Sequence, residues 1–200
     1  MAHFRPWVDT PPRRDQNAAM DPAHGLNLLT ARLTLRPFAV EDAARVLTIE
    51  TNWNVMRMLR AATFPATLES THDWLASHET EWRAGTAYRF ALIMGGALIG
   101  RADVDEIANG RGVLGYWLDE AAWGQGLATE AAGAVTRFAL DTLDLNGLNS
   151  SHASDNPASG KVLRKLGFRR AGEIKLWSNP RGHEITHLRY ALERGEWRAR

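Results

Sequence analysis

The sequence predicts one α/β domain (α+β by some schemes), with a mixed sheet flanked by helices. Three observations carry this expectation. Alternating apolar residues divided by Gly95-Gly96 make a strand hairpin. A strand then runs through a glycine-containing turn directly into an alanine-rich helix at 113–143. Two further strands follow a capped helix near the end. Strands first, helices inserted and a strand–turn–helix passage in the middle define a mixed sheet.

Residues 1–27 carry Pro6, Pro11, Pro12 and Pro22 with little periodicity. They read as a flexible or clasping arm ahead of a single domain over 28–200. Leu33 and Leu35 alternate with Arg32, Thr34 and Arg36 as a half-buried strand that Pro37 ends. Val40, Ala43, Ala44 and Leu47 recur at helical spacing, and a second short helix includes Val55 to Leu59. Leu68–Trp82 predicts a longer amphipathic helix with Trp74, His78 and Trp82 four apart on one face. Those aromatics either join the core or line a cleft.

Tyr88–Met94 and Ala97–Asp105 pair across the glycine turn, and Val113–Leu118 continues the series. Within the second of these strands Leu98, Gly100, Ala102 and Val104 face one way, and Arg101, Asp103 and Asp105 the other. The helix from Leu127 to Leu143 turns Leu127, Ala131, Ala134, Val135 and Phe138 to a core. Leu148–Ala153 is a short strand. Asn156 caps and Pro157 opens a helix that Gly167 closes, in the order such helices prefer. Arg169–Leu176 and Ile185–Leu192 are the last strands.

The totals remove several function classes. A net charge of +1 without a Lys/Arg run gives no footprint for nucleic acid. With no cysteine there is no disulfide, thiolate nucleophile or cysteine metal site. The opening MAHFRPWVDTPPRRDQ has no apolar stretch of a secretory signal, and ALIMGGALIG is too short to span a bilayer. The expectation is a cytoplasmic protein without a membrane partner.

WGQGLATEA (123–131) carries the chemistry. Glycines ahead of a helix N-terminus expose backbone N–H groups where the helix dipole favours an anion. The stretch is neither a P-loop, because no Gly-Lys-Ser/Thr follows, nor G-x-G-x-x-G, because the third position is Thr129. From the glycines alone, an anion site and a plain tight turn both stand.

A second marker, the capped helix in DNPASGKVLRKLGFRRAGE, decides the reading. Together with RLTLRPF (32–38), LIG (98–100), LGYWL (114–118), WGQGLATEA, Tyr190-Ala191-Leu192 and Glu196-Trp197, it resembles the GCN5-related (GNAT) acetyltransferase superfamily. The branch is that of the ribosomal-protein (RimJ/RimL-like) and aminoglycoside N-acetyltransferases. The resemblance implies a mostly antiparallel, splayed sheet and an acetyl-CoA-dependent N-acetyltransferase with acetyl-CoA as co-substrate and no metal. It implies that Trp123, Gly124, Gln125, Gly126, Leu127 and Ala128 hold the pyrophosphate of coenzyme A, with Thr129 adding its hydroxyl. The thioester would lie between Val113–Leu118 and Leu148–Ala153, with an N–H near Leu118 facing its oxygen. Asn156 would bind the pantetheine arm or the surroundings of the attacking group.

Acetyl transfer to an amine needs an uncharged amine, a stabilised oxyanion and a partner for the leaving thiolate. Where the superfamily often has a tyrosine seven residues after the asparagine, this chain has Leu163. Ser159 is the nearest hydroxyl and the candidate donor to the thiolate; its alternative role is to complete the first helical turn. No carboxylate stands at Arg111-Gly112-Val113, where many relatives place one. Asp103 and Asp105 are the candidates for the base, against a solvated strand face on which Arg101 pairs with an aspartate.

The acceptor amine stays open between a protein N-terminus and a small molecule. Its groove is expected at Trp53, Trp74, Trp82 and Trp177, the last beside the loop to Gly182. A homodimer is also open. A module that binds coenzyme A without turnover is one rival. The other is a zinc hydrolase, because His183-Glu184-Ile185-Thr186-His187 spells H-E-x-x-H. That motif needs a helix, and Pro180, Gly182 and the β-branched residues around it predict a strand, on which the two histidines lie about 13 Å apart. His152 stands near the site and reads as structural.

Overall fold

The computed structural model describes residues 26–198; the arm expected over 1–27 lies outside these but for Leu26 and Asn27. Eight strands form one sheet in the order β1-β2-β3-β4-β5-β6-β8-β7. The strands are β1 (Leu28–Leu29), β2 (Thr34–Pro37), β3 (Tyr88–Met94), β4 (Ala97–Ala108), β5 (Arg111–Leu118), β6 (Gly147–Ala153), β7 (Arg169–Ser178) and β8 (His183–Glu193). Every neighbouring pair is antiparallel except β5–β6. That parallel pair holds register only at Arg111↔Gly147, Gly112↔Leu148 and Val113↔Asn149. Beyond Val113 and Asn149 the two strands part, as a splayed sheet requires.

The helices are α1 (Ala43–Glu50), α2 (Trp53–Met56), α3 (Leu68–Ala84), α4 (Leu127–Arg137) and α5 (Pro157–Lys165). Leu127, Ala131 and Val135 of α4 recur at helical spacing and sink into the main core with Phe90, Ala102, Val104 and Leu114. Ala134 is only partly buried, one step round the helix from that stripe. A wide turn over Phe138–Thr142, with Leu143 N–H bonded to Phe138 O, replaces the last α-turn expected to Leu143. A smaller cluster on the other face joins Val46, Ile49 and Val55 to Ala91, Leu98 and Trp117.

Three further sequence expectations are corrected. The buried stripe of α1 is Ala43, Val46 and Ile49 rather than Val40, Ala43, Ala44 and Leu47. Val40–Asp42 is a separate short turn, which shifts the phase of the helix. Leu98 does not share a face with Ala102 and Val104. The β3–β4 register slips at Leu92/Ile93, opposite Ile99, and this bulge turns Leu98 towards Trp117. Trp82 is no groove residue: it is 1 % exposed and packs edge-on against Tyr88 and Phe90 in the main core.

Candidate active site

The opening between β5 and β6 has a legible chemistry of edges. Asp119 N–H donates to Ile99 O on the β4 side. Backbone groups alternate along a strand, so those of Leu114, Tyr116 and Leu118 face β6. Two bonds agree: Ser150 Oγ donates to Leu114 O at 2.8 Å, and Trp123 Nε1 to Leu118 O at 2.9 Å. Past the last β5–β6 pair, the N–H groups of Tyr116 and Leu118 therefore point into the opening.

The glycine loop closes one end of it. Gly124 and Gly126 have φ of +75° and +79°, a backbone region that side chains with a Cβ enter with strain. Gly126 is the N-cap of α4 and offers no side-chain cap, so the first-turn amides Leu127 and Ala128 have no partner inside the helix. Arg32, from the β1–β2 turn, holds the loop from outside. Its guanidinium donates to Gln125 O at 2.9 Å and pairs with Glu130 at 2.6 Å. Thr30 adds its hydroxyl to the same Glu130 carboxylate at 2.6 Å. Thr129, Glu130, Gly133 and Ala134 continue from Gly126 along a groove of about 640 Å³ on α4.

The other end is built from α5. Asn156 Oδ1 accepts Ser159 N–H at 3.2 Å as the N-cap, and Pro157 fills the first helical position. Ser159 lies across the opening from Tyr116, whose hydroxyl is 2.8 Å from Ser159 Oγ and 3.1 Å from Ser159 O. Burial holds the Tyr116 phenol above its ordinary pKa, so it stays protonated. Leu163, fully buried, faces the core. The tyrosine of LGYWL is a site residue that the motif alone does not single out. The even-numbered face of β5, opposite the capped helix, was the signal that pointed to it.

The carboxylates lie deeper than expected. Asp103 is fully buried, 3.4 Å from Arg101 and 3.7 Å from Arg89, with neither oxygen hydrogen-bonded. Burial raises its pKa against the pull of Arg101. Asp105 lies 3.6 Å from the same Arg89, which also pairs with Glu81. The strand face carrying both aspartates is thus a covered ionic cluster rather than a solvated one. Its Arg101 lies over the Trp74 ring, 5.5 Å from the centroid.

Of the aromatics expected at the acceptor side, Trp53 and Trp177 are exposed, and Trp53 packs on Phe64. Trp74 is half-buried against Phe38 and His78. A clamp draws the β7–β8 loop to the segment after α2. Arg181 grips Asp155 at 2.9 and 3.0 Å and donates to Arg57 O at 2.6 Å, while Asn179 N–H donates to Arg60 O.

The H-E-x-x-H segment lies on β8, not on a helix. His183 Nδ1 bonds Arg181 O at 2.8 Å, while His187 is buried beside Ser151 Oγ at 3.3 Å. Burial brings the His187 pKa down to about 4. Among the described residues no group of three or more His, Asp and Glu could hold a metal ion. His152 is buried too, stacked on Tyr190 at 5.5 Å between ring centroids. Among the described residues no helix is long and apolar enough to cross a membrane.

A strand–glycine-loop–helix passage beside a sheet that splays between two parallel strands defines the acetyltransferase (GNAT) fold. The acetyltransferase (GNAT) domain family matches residues 32–169, and the chain belongs to that family of N-acetyltransferases. A Bacillus licheniformis relative named uncharacterized N-acetyltransferase p20 is 27 % identical over 85 % of this chain and 97 % of its own. The [ribosomal protein uS5]-alanine N-acetyltransferase of Escherichia coli is 28 % identical over 58 % of this chain and 62 % of its own. The structure of RimL, a ribosomal L7/L12 α-N-protein acetyltransferase in complex with coenzyme A, superposes with a TM-score of 0.76. It is 20 % identical and is matched over 84 % of this chain and 98 % of its own.

Proposed function

We propose that this chain is an acetyl-CoA-dependent N-acetyltransferase, acting in the cytoplasm on the α-amine of a protein N-terminus. The observation that carries the reading is the alignment of two donor sets. The first-turn amides of α4, opened by Gly126, stand at the end of the strand whose Tyr116 and Leu118 N–H groups face the splay. In the proposed assignment, Gly124 to Ala128 and Thr129 hold the pyrophosphate, and Leu118 N–H meets the thioester oxygen. Asn156 orients the pantetheine arm, and Ser159 receives the leaving sulfur. Attack by the amine is direct in this reading, a route that a chain without cysteine fits but that the missing thiol does not by itself establish over a serine route.

Asp103 has no open path to an acceptor, so it acts at most by fixing Arg89 and Arg101. An α-amine suits that lack of a strong base: with a pKa near 8, roughly a tenth is already neutral at pH 7. Trp53 and Trp177 offer exposed aromatic surface for the acceptor chain. The names of the relatives support a protein acceptor. The sealed position of Asp103 also favours one second reading, a module that binds coenzyme A without turnover.

One experiment separates these. Acetyl-CoA is titrated into the intact protein and into Gly126→Trp in a calorimeter. The intact protein is then given acetyl-CoA with an N-terminal peptide, an N-blocked lysine peptide or an aminoglycoside, and products are weighed by mass spectrometry. The expected outcome is binding lost in the variant and acetylation of the free N-terminus. Binding without product leaves the binding module, product on the aminoglycoside alone corrects the acceptor, and no binding by the intact protein sinks the reading.

A further inference from the structure

We propose that Tyr116 is a positioning residue for the leaving thiolate: by donating its hydroxyl hydrogen to Ser159 Oγ, it frees the serine hydrogen to point at sulfur. The inference rests on the acetyl-CoA reading above and adds a residue to it.

The contact spans two elements. Tyr116 stands on β5 and Ser159 in the first turn of α5, 2.8 Å apart, oxygen to oxygen. A phenol has one hydrogen to give, and a serine hydroxyl has one hydrogen and two lone pairs. If Tyr116 donates to Ser159 O, at 3.1 Å, the serine hydrogen satisfies the tyrosine oxygen and none remains for a third group. If Tyr116 donates to Ser159 Oγ, the serine hydrogen is released into the opening. Two features favour the second arrangement. The hydroxyl contact is the shorter, and Ser159 O also lies where the helix N–H four residues on is its partner. A protonated phenol, kept so by burial, donates across the working pH range.

The step balances without another reactant. The amine nitrogen forms a bond to the acetyl carbon, the carbon–sulfur bond breaks, and sulfur leaves with the electron pair. The proton from nitrogen goes to solvent. Ser159 Oγ–H donates a hydrogen bond to the thiolate, which solvent then protonates. Neither Ser159 nor Tyr116 changes its own protonation. A donor already engaged as an acceptor is a stronger donor, so the Tyr116 bond also polarises the serine. Serine thereby fills the position that Leu163, without a polar group, leaves empty.

The test reads the thiol itself. The chain has no cysteine, so thiolate absorbance near 240 nm in a mixture with coenzyme A reports the coenzyme alone. The pH titration is run on coenzyme A free and bound to the intact protein, Tyr116→Phe, Ser159→Ala and the double variant, all kept below the range where tyrosine ionises. Binding is followed by calorimetry and folding by melting. In the intact protein the bound thiol should ionise at a pKa about 1 below that of free coenzyme A, as a hydrogen bond to an anion implies. That shift should be lost in each single variant, with no further change in the double variant. Phenylalanine keeps the ring packed, and Ser159→Ala removes the serine donor itself. A shift that survives in Tyr116→Phe but not in Ser159→Ala overturns the role of the tyrosine. So does an additive double variant, and an unshifted thiol in the intact protein removes both residues. Failure of coenzyme A to bind the intact protein is a different result, and it overturns the acetyltransferase reading itself.

Discussion

His78 brings an imidazole into the packing of α3 against the sheet with no hydrogen bond to either ring nitrogen. It lies edge-on to Trp74 at 4.3 Å and to Phe38 at 5.4 Å between centroids. Burial, and then the positive charge of Arg89 and Arg101, bring its pKa from 6.5 down to about 3. The folded pKa lies below the unfolded one, so the neutral ring's contribution is intact above pH 6.5 and is lost as pH falls towards 3. By pH 4.5 the intact protein loses about 3 kcal/mol that a ring without a proton site keeps. His78→Phe should therefore match the intact protein at pH 8 and exceed it at pH 4.5 in urea unfolding. Parallel curves for the two proteins across that range would refute the assignment. The periodic spacing of Trp74, His78 and Trp82 already placed His78 on an apolar face. It did not give depth: Trp82 is sealed in the main core while Trp74 stays half-exposed, because depth depends on strands that arrive later in the chain. Asp103 shows the same gap. Its side of β4 was legible from alternation, but the roof of α1 and α3 over that side was not.

Helix α5 shows where local sequence suffices and where it stops. Asn156, Pro157 and Gly167 marked its start and end, and the structure follows them. Gly160, inside the helix, carries a meaning no pattern displays. A Cβ there would stand 2.7 Å from His152 Nε2 and 3.3 Å from an Arg164 nitrogen. The His152 ring cannot swing away cheaply, because its Nδ1 bonds Ala153 O at 2.8 Å and its face lies on Tyr190. Helix propensity alone gives Gly→Ala a gain of about 1 kcal/mol. A buried contact that tight costs about 1 to 3 kcal/mol and outweighs it. Gly160→Ala should thus lower the unfolding free energy in a denaturant titration, and a stabilised variant would show that the ring yields freely. Strand β4 gives the converse lesson. Its type and turn were readable from Gly95-Gly96, but the bulge opposite Ile99 turned Leu98 to the other face, since a one-residue slip reverses every side chain behind it. The wide turn at Phe138–Thr142 was equally hidden: its residues are ordinary helix formers, and the path to β6 sets the backbone there.

Taken whole, the molecule is two sheet segments, β1 to β5 and β6-β8-β7, joined by the one parallel strand pair, which holds register at three positions. Three register pairs, the Ser150–Leu114 bond, the Tyr116–Ser159 contact, the Arg111–Glu193 pair and the clamp of Arg181 and Asn179 on Arg57 and Arg60 are among the links across the line, with α4 packed beside α5. The family motifs, spread from residue 32 to 197, announced a mixed, splayed sheet and the two strands that part; the order of strands was not legible in them. A ligand that lies in the splay must touch both segments, so its binding free energy stabilises them together. At a concentration 100 times its dissociation constant, acetyl-CoA should add about 2.7 kcal/mol, which for a domain of this size raises Tm by about 5 to 10 °C in one transition. Hydrogen exchange then locates it. Slower exchange is expected at Gly126–Glu130, at Tyr116 and Leu118, and also along β6 and β8, where no coenzyme group needs to touch the backbone. Protection confined to Gly126–Glu130, with β6 and β8 unchanged, would mean that the loop holds a phosphate while the thioester lies elsewhere. The route of acyl transfer through the β5–β6 opening would then have to be given up.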